Sequence, residues 1–365
     1  MSDAAALVTE AVADNAAEWD LAGWIPPEIV RGLGAKGVLC AEVPPRHGGL
    51  GLSGMDNGEL AAHTGALCSS VRSLMTSQGM AAWTIQRFGS REQHSEYLGM
   101  LTGGSLAAVA FSEPAAGSDL SAIGTRIRRD GDSVVVTGRK TWITAAAYAD
   151  VVLVFGRFDG ETAVAVVPAT APGVRIDPVP NPLGCRAAGH STVDLDDVRL
   201  PISAVLSGRG FPLALLVTTA LTYGRLSVAW GSVGMLRACL AEAARHARVR
   251  EQFGTPLSQH QLVARHLAEL YAAERTATKM CEDASRAWDD RSPDMGAAAV
   301  LAKYVASTEA ARGAATAVQV LASAGAQDGG AVARAFRDAK LMEIIEGSTE
   351  ISQLMLAERA LMAAQ

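Results

Sequence analysis

Glu346 is the residue of this chain whose surroundings most invite chemistry. It stands in Leu341-Met342-Glu343-Ile344-Ile345-Glu346-Gly347-Ser348-Thr349-Glu350-Ile351, with apolar residues before it and a glycine and two hydroxyls after it. That pattern places a carboxylate where water is scarce, at a break in the backbone, just ahead of a new helix. Desolvation raises a carboxylate pKa, and a glutamate tuned toward ~6–7 serves as a general base near neutral pH. The same residues allow a structural reading. Glu346 could end one helix, with Ser348 or Thr349 capping the next and Glu350 in its first turn. Taken alone, the segment does not decide between the two.

Two other stretches could hold a flat polar ring. Ala110-Phe111-Ser112-Glu113-Pro114-Ala115-Ala116-Gly117-Ser118-Asp119 is rich in hydroxyls and small residues, so its backbone amides are accessible to a ring edge. Downstream, Gly138-Arg139-Lys140-Thr141-Trp142-Ile143-Thr144 reads as a strand, and alternation predicts Trp142 and Thr144 on one face. An aromatic face beside a hydroxyl suits a planar heterocycle, one to pack and one to bond. A buried tryptophan in a β-core is the ordinary alternative.

Composition bounds the class. The chain has 365 residues, 49% hydrophobic but only 5% aromatic, so its core is built from Ala, Val and Leu. A net charge of −6 argues against a nucleic-acid backbone or an anionic membrane as partner. Cys40, Cys68, Cys185, Cys239 and Cys281 are scattered singly, without metal-ligand spacing, as expected in a reducing cytoplasm. The start, Met1-Ser2-Asp3, shows no signal peptide, and no run of 18 apolar residues occurs.

The elements that must position these groups fall into three parts. Residues 1–108 show helical periodicity, 109–210 carry short β-branched runs, and 211–365 return to helix. The runs are Ser133–Thr137, Val151–Phe155, Ala163–Val167 and Val193–Leu195, with Asp130-Gly131 as a hairpin turn. In the last part Leu262, Val263, Leu267, Leu270 and Tyr271 recur at helical spacing. This segregated α–β–α order predicts an α+β fold, not an alternating doubly wound sheet. Gly32-Leu33-Gly34-Ala35-Lys36-Gly37, with Asp56 beyond, matches a dinucleotide fingerprint literally. It follows a predicted helix start at Pro26-Pro27-Glu28 rather than a strand, so its glycines are expected to end a helix.

Taken in order, the motifs resemble the acyl-CoA dehydrogenase superfamily across essentially the whole chain. They are Ser-Glu-Pro-x-Ala-Gly-Ser-Asp, Gly-x-Lys-x-Trp-Ile-Thr, Arg250-Glu251-Gln252-Phe253-Gly254, His260-Gln261 and Arg-Asp-Ala-Lys…Glu-Gly-Ser-Thr-Glu-Ile. The resemblance implies an N-terminal helical domain, a middle β-domain and a C-terminal four-helix bundle. It implies FAD, with Phe111, Ser112, Gly117, Ser118, Trp142 and Thr144 around the ring system. Arg250, Phe253, Gln261, Gln319, Gly325, Ser348 and Glu350 are further cofactor positions, Arg250 and Phe253 reaching the FAD of a neighbouring subunit. A homodimer or homotetramer and an electron-transfer partner follow from the same resemblance. Glu346 takes the role of base for the α-proton of an acyl thioester while a hydride leaves the β-carbon for the flavin. Ser118, Arg225 and Gly347 fall at substrate positions. Some members carry the base on an earlier helix; the position aligned with it here is Arg225, which cannot act as a base.

Departures from that pattern bear on the substrate. Ala322 and Ser323 stand where the family has two glycines after Gln319, and Thr222-Tyr223-Gly224 lacks the carboxylate that contacts coenzyme A in many members. Cys68-Ser69-Ser70-Val71-Arg72-Ser73-Leu74-Met75-Thr76 and Gly184-Cys185-Arg186-Ala187-Ala188-Gly189-His190 are similar to dehydrogenase-like enzymes of actinobacterial polyketide clusters. Those enzymes help make hydroxymalonyl- and methoxymalonyl-acyl-carrier-protein extender units. The narrower resemblance implies a short hydroxylated three-carbon acyl group on a carrier protein, with Arg72, Ser73, Arg186 and His190 as candidate donors. A conventional short-chain acyl-CoA dehydrogenase and a non-catalytic relative are the alternatives.

Overall fold

A computed structural model describes residues 2–363. Five helices, α1 (Ser2–Val12), α2 (Ala16–Ala22), α3 (Pro27–Ala35), α4 (Gly54–Leu67) and α5 (Ser69–Phe88), open the chain. Proline at the first position starts α3, where its missing N–H costs nothing. Of the fingerprint-like glycines, Gly32 and Gly34 lie inside α3, and only Gly37, at φ +72°, stands past its end. Gly34 is small because a Cβ there would sit 3.2 Å from the Gly104 backbone. Ser53 caps α4 by accepting from the Asp56 N–H, and the Asp289 carboxylate accepts from the N–H groups of Gly54 and Met55. Asp56 therefore belongs to a helix start, not to a nucleotide site.

Two short pieces, α6 (Arg91–Gln93) and α7 (Gly99–Thr102), lead into a seven-stranded sheet. Its strands are β1 (Ala107–Ala110), β2 (Arg126–Asp130), β3 (Ser133–Ile143), β4 (Val151–Phe158), β5 (Glu161–Pro168), β6 (Val174–Pro178) and β7 (Ser191–Pro201). They run in the order β1-β4-β2-β3-β7-β6, with β5 paired to β4. The turn between β2 and β3 lies one residue further on than expected: Asp130 pairs with Ser133, and Gly131, at φ +63°, and Asp132 form the two-residue loop. Asp159 and Gly160, both at positive φ, form the two-residue turn that closes β4 onto β5. The register slips between Lys140 and Ile143, where Trp142 adopts φ +58°. The expected alternation thus breaks: β3 ends at Ile143, Thr144 falls in the following turn, and the bulge throws Trp142 outward.

The remaining helices are α8 (Leu213–Val249), α9 (Gln261–Asp289), α10 (Met295–Leu321), α11 (Ala331–Ile344) and α12 (Thr349–Ala363), with a small hairpin β8 (Glu251–Gln252) and β9 (Thr255–Pro256) after α8. Helix α8 is long and apolar enough to cross a membrane, yet most of that apolar stretch is buried within the fold. It packs backbone to backbone on α4: a Cβ on Gly234 would overlap the Ala62 carbonyl, and one on Gly65 would lie 2.7 Å from the Gly231 carbonyl. On α9, Leu270 is buried, but Leu262 and Tyr271 face outward, 73% and 59% exposed, so the apolar spacing read there marks two faces.

The three parts are tied by polar contacts. Gln78 of α5 donates to the carbonyls of Leu101 and Ser105 and accepts from the Ala107 N–H at the start of β1. The Asp338 carboxylate of α11 accepts from the Cys185 N–H, 2.6 Å away, holding the 184–190 loop to the C-terminal helices. Gly234→Ala is expected to lower stability by ~1–3 kcal/mol, because the overlap falls on backbone that cannot turn aside. Gly296→Ala in α10, which has nothing within 4 Å of its Cβ position, is expected to be neutral or mildly stabilising. Urea denaturation of both variants measures the contrast.

Candidate active site

Helix α11 stops at Ile344, and the chain then turns sharply: Glu346 adopts φ +56° and Gly347 φ +98° before α12 begins. A non-glycine residue in the left-handed region costs roughly 1–3 kcal/mol unless its surroundings hold it there. Two cations do so, both through backbone carbonyls. Arg225 of α8 donates from Nε to the Glu346 carbonyl at 3.0 Å. Lys303 of α10 donates from Nζ to the Gly347 carbonyl at 2.6 Å and the Glu343 carbonyl at 3.2 Å. Ser348 also caps α12, its Oγ accepting weakly from the Ile351 N–H at 3.4 Å. The capping role is real, and it coexists with the placement of Glu346.

The carboxylate projects into a dry space between α5 and α8. A Cβ on Gly224 would overlap its Oε2 and the Met80 methyl group. Oε2 is shut off from solvent and has no hydrogen-bond partner, although the residue as a whole is only partly buried. Loss of hydration pushes the Glu346 pKa from its ordinary 4.5 up to about 7, against the pull of Arg225, Lys303 and Arg72. A bonded cation would hold the group ionised and unreactive. Here the N–H groups of Arg225 and Lys303 bind carbonyls instead, so they temper the carboxylate without covering it. Gly224, not Arg225, is the α8 position that faces the Glu346 carboxylate; Arg225 holds the turn instead.

A second cluster forms around the β3 bulge. Trp142 is 57% exposed, an unusual state for its size. Thr144 Oγ1 lies 3.2 Å from His190 Nδ1, and the Trp142 and His190 rings are 6.0 Å apart. His190 Nε2 is buried and unpartnered, and burial with Arg72 nearby lowers its pKa to about 4, leaving the imidazole neutral at pH 7. The Ser112–Asp119 loop is anchored by Lys140, fully buried, whose Nζ donates to the carbonyls of Phe111 and Phe155 and to the Glu113 carboxylate. The Ser112 carbonyl accepts from the Thr141 N–H, while Gly117 and Ser118 stay exposed at the loop tip. An exposed aromatic face beside an accessible loop rich in small residues and hydroxyls fits a planar cofactor such as FAD. Phe111 does not offer its ring, which stacks on Phe155 in the core.

Other positions separate from this cluster. Arg250, Phe253, Gln261, Gln319 and Glu350 are exposed on helix ends and the β8–β9 hairpin, Phe253 at 96%. Gly325 is buried, where a Cβ would press on Leu321 and the Val318 carbonyl at 2.9 Å, so its smallness serves local packing. Ala322 takes φ +51°, ψ −128°, a glycine-like conformation without glycine. Of the candidate donors, Arg186 is corrected: it is bound to Asp328 and Asp20 in a network with Arg337. Ser73 Oγ is engaged by Arg72 and the Ser69 carbonyl. Arg72 is fully buried, donating to Thr76 Oγ1, Ser73 Oγ and Met342 Sδ. Lys303 escaped notice in the sequence, though it lies among Ala299, Ala302, Ala306 and Ala310 on the buried face of an Ala-rich helix.

Comparison with known proteins agrees with the fold. Sequence profiles described as acyl-CoA dehydrogenase N-terminal, middle and C-terminal domains match residues 1–105, 108–198 and 208–361. The probable acyl-CoA dehydrogenase YngJ of Bacillus subtilis is 32% identical over 360 residues, covering 96% of this chain and 94% of YngJ. Among solved structures, FkbI, described as for biosynthesis of the methoxymalonyl extender unit of the FK520 polyketide, is 59% identical with a TM-score of 0.94, covering 98% of this chain and 99% of FkbI. A glutaryl-CoA dehydrogenase from Mycobacterium smegmatis in complex with FADH2 is 28% identical with a TM-score of 0.92, covering 98% and 94%.

Gly224→Ala tests the packing around the Glu346 carboxylate. The new methyl displaces the carboxylate, and a shift of ~1 Å is expected to slow flavin reduction by an acyl thioester ~100-fold with FAD content unchanged. Stopped-flow absorbance gives the rate; a wild-type rate would contradict the arrangement.

Proposed function

The chain belongs to the acyl-CoA dehydrogenase family, and from that premise we propose a narrower role: oxidation of a short hydroxylated three-carbon acyl group carried on an acyl-carrier protein, in making a hydroxymalonyl- or methoxymalonyl-type polyketide extender unit. Members of the family are FAD-dependent oxidoreductases acting on acyl thioesters, and this chain is one. The observation that carries the narrower reading is the 59% identity to FkbI over nearly all of both chains. Two local features support it. No carboxylate stands at Thr222–Gly224 to contact coenzyme A, and the neutral His190 leaves a buried nitrogen free for a polar acyl group.

In this reading Glu346 takes the α-proton of the thioester onto Oε2, the oxygen left without a partner. When bound, FAD supplies the acceptor for the hydride lost from the β-carbon. Trp142, Thr144 and the Ser112 loop would hold its ring system. Arg225 keeps the carboxylate aimed by holding the Glu346 carbonyl. Gly347 allows thioester and backbone to approach, and the Glu346 N–H is the donor assigned to the thioester carbonyl, stabilising the charge that develops there. The exposed Phe253, Leu262 and Tyr271 support a second copy covering the α8–α9 end. An electron-transfer partner remains part of the proposal. Five free, buried thiols fit a reducing compartment such as the cytoplasm.

A base must be ionised to act. With Glu346 titrating at about 7, kcat/KM is expected to rise about tenfold per pH unit below that value and level off above it. Glu346→Gln should abolish flavin reduction by substrate at every pH while FAD stays bound, and retained turnover would refute the assignment. For the carrier, rapid flavin bleaching by a hydroxylated three-carbon acyl group on an acyl-carrier protein, with none by butyryl-CoA, is the expected pair of results. Rapid bleaching by butyryl-CoA would favour a conventional short-chain acyl-CoA dehydrogenase.

A further inference from the structure

Lys303 is fully buried in α10, yet no step assigned above transfers anything to it. Burying an ammonium is costly unless its donors are met, and here they meet the two carbonyls that flank the base: Gly347 at 2.6 Å and Glu343 at 3.2 Å. One side chain thereby closes the turn from both ends, while Arg225 holds the Glu346 carbonyl between them. We infer that Lys303 is a positioning residue of the reaction, fixing the left-handed turn that carries Glu346 and lending it positive charge without engaging Oε2.

The charges around Glu346 are those of Arg225 on α8, Arg72 on α5 and Lys303 on α10, while Glu343 of α11 and Glu350 of α12 act on Lys303 from the other side. Desolvation lowers Lys303 to about 8, so it is still mainly protonated at pH 7. Among the three cations Lys303 alone binds the carbonyls on both sides of the base. Its removal should therefore alter both the aim of the carboxylate and its ionisation.

The inference rests on Glu346 as base, so the test reads the carboxyl directly. In FAD-loaded protein labelled with carbon-13 glutamate, the infrared band lost in Glu346→Gln identifies Glu346, and its intensity is followed against pH. Lys303→Met is expected to raise the Glu346 pKa by about one unit, cutting the ionised fraction at pH 7 from about one half to about one tenth. Single-turnover flavin reduction at pH 7 should then fall ~fivefold or more, with the gap narrowing above pH 9. Lys303→Arg should restore the titration. If Lys303→Met does not fold, Lys303→Gln, which keeps a donor without the charge, takes its place. An unchanged Glu346 titration in the uncharged variant would overturn the inference, even if the rate dropped. Should Glu346→Gln still reduce its flavin, the base assignment fails, while the infrared titration still decides for or against Lys303.

Discussion

The site depends on one constraint: a carboxylate kept dry and unpaired while surrounded by positive charge. Moving Glu346 from 4.5 to about 7 corresponds to ~3 kcal/mol of preference for the protonated form. Full pairing with Arg225 or Lys303 would erase that preference, and complete removal of the cations would leave the base protonated at neutral pH. The structure avoids both extremes by directing the cations' N–H groups at carbonyl oxygens. Their charge reaches Glu346 through space, and Oε2 remains open to a proton.

Much of the fold serves that arrangement. Helix α8 brings Gly224 and Arg225 to the site and can do so only because it lies tight on α4, where glycines remove side chains from the contact. Helix α10 brings Lys303, and α5 brings Met80 and Arg72. The sheet side uses the same device. Lys140, also buried, gathers the Phe111 and Phe155 carbonyls and Glu113, so each half of the site is clamped by a lysine that bonds to backbone oxygen. Both lysines are lowered to about 8 by desolvation, yet both keep enough oxygen partners to remain mainly charged at pH 7.

The α+β class, a hairpin near Asp130-Gly131 and the placing of Glu346 at a dry helix break were legible because each rests on local pattern: period, turn chemistry, a carboxylate among apolar residues. The Trp142 bulge was not, since alternation assumes an unbroken strand and a single register slip overturns it. Arg186 read as a pocket donor because its ion pairs lie far off in sequence, with Asp20 and Asp328. Gly224 was passed over in favour of its charged neighbour, although the absence of a side chain is what admits the base. Lys303 belongs to no motif in the sequence, and only the packing of α10 shows that it is buried. Long-range contacts decide these cases, and spacing alone does not contain them.

Proton abstraction by Glu346 can be observed apart from oxidation. Exchange of the α-proton with D2O, followed by NMR on a short acyl thioester blocked at its β-carbon, isolates that step in the FAD-loaded protein. Rapid exchange is expected with wild type above pH 7, falling as the pH drops below it, and none above background with Glu346→Gln. Exchange at the wild-type rate in Glu346→Gln would contradict Glu346 as the base.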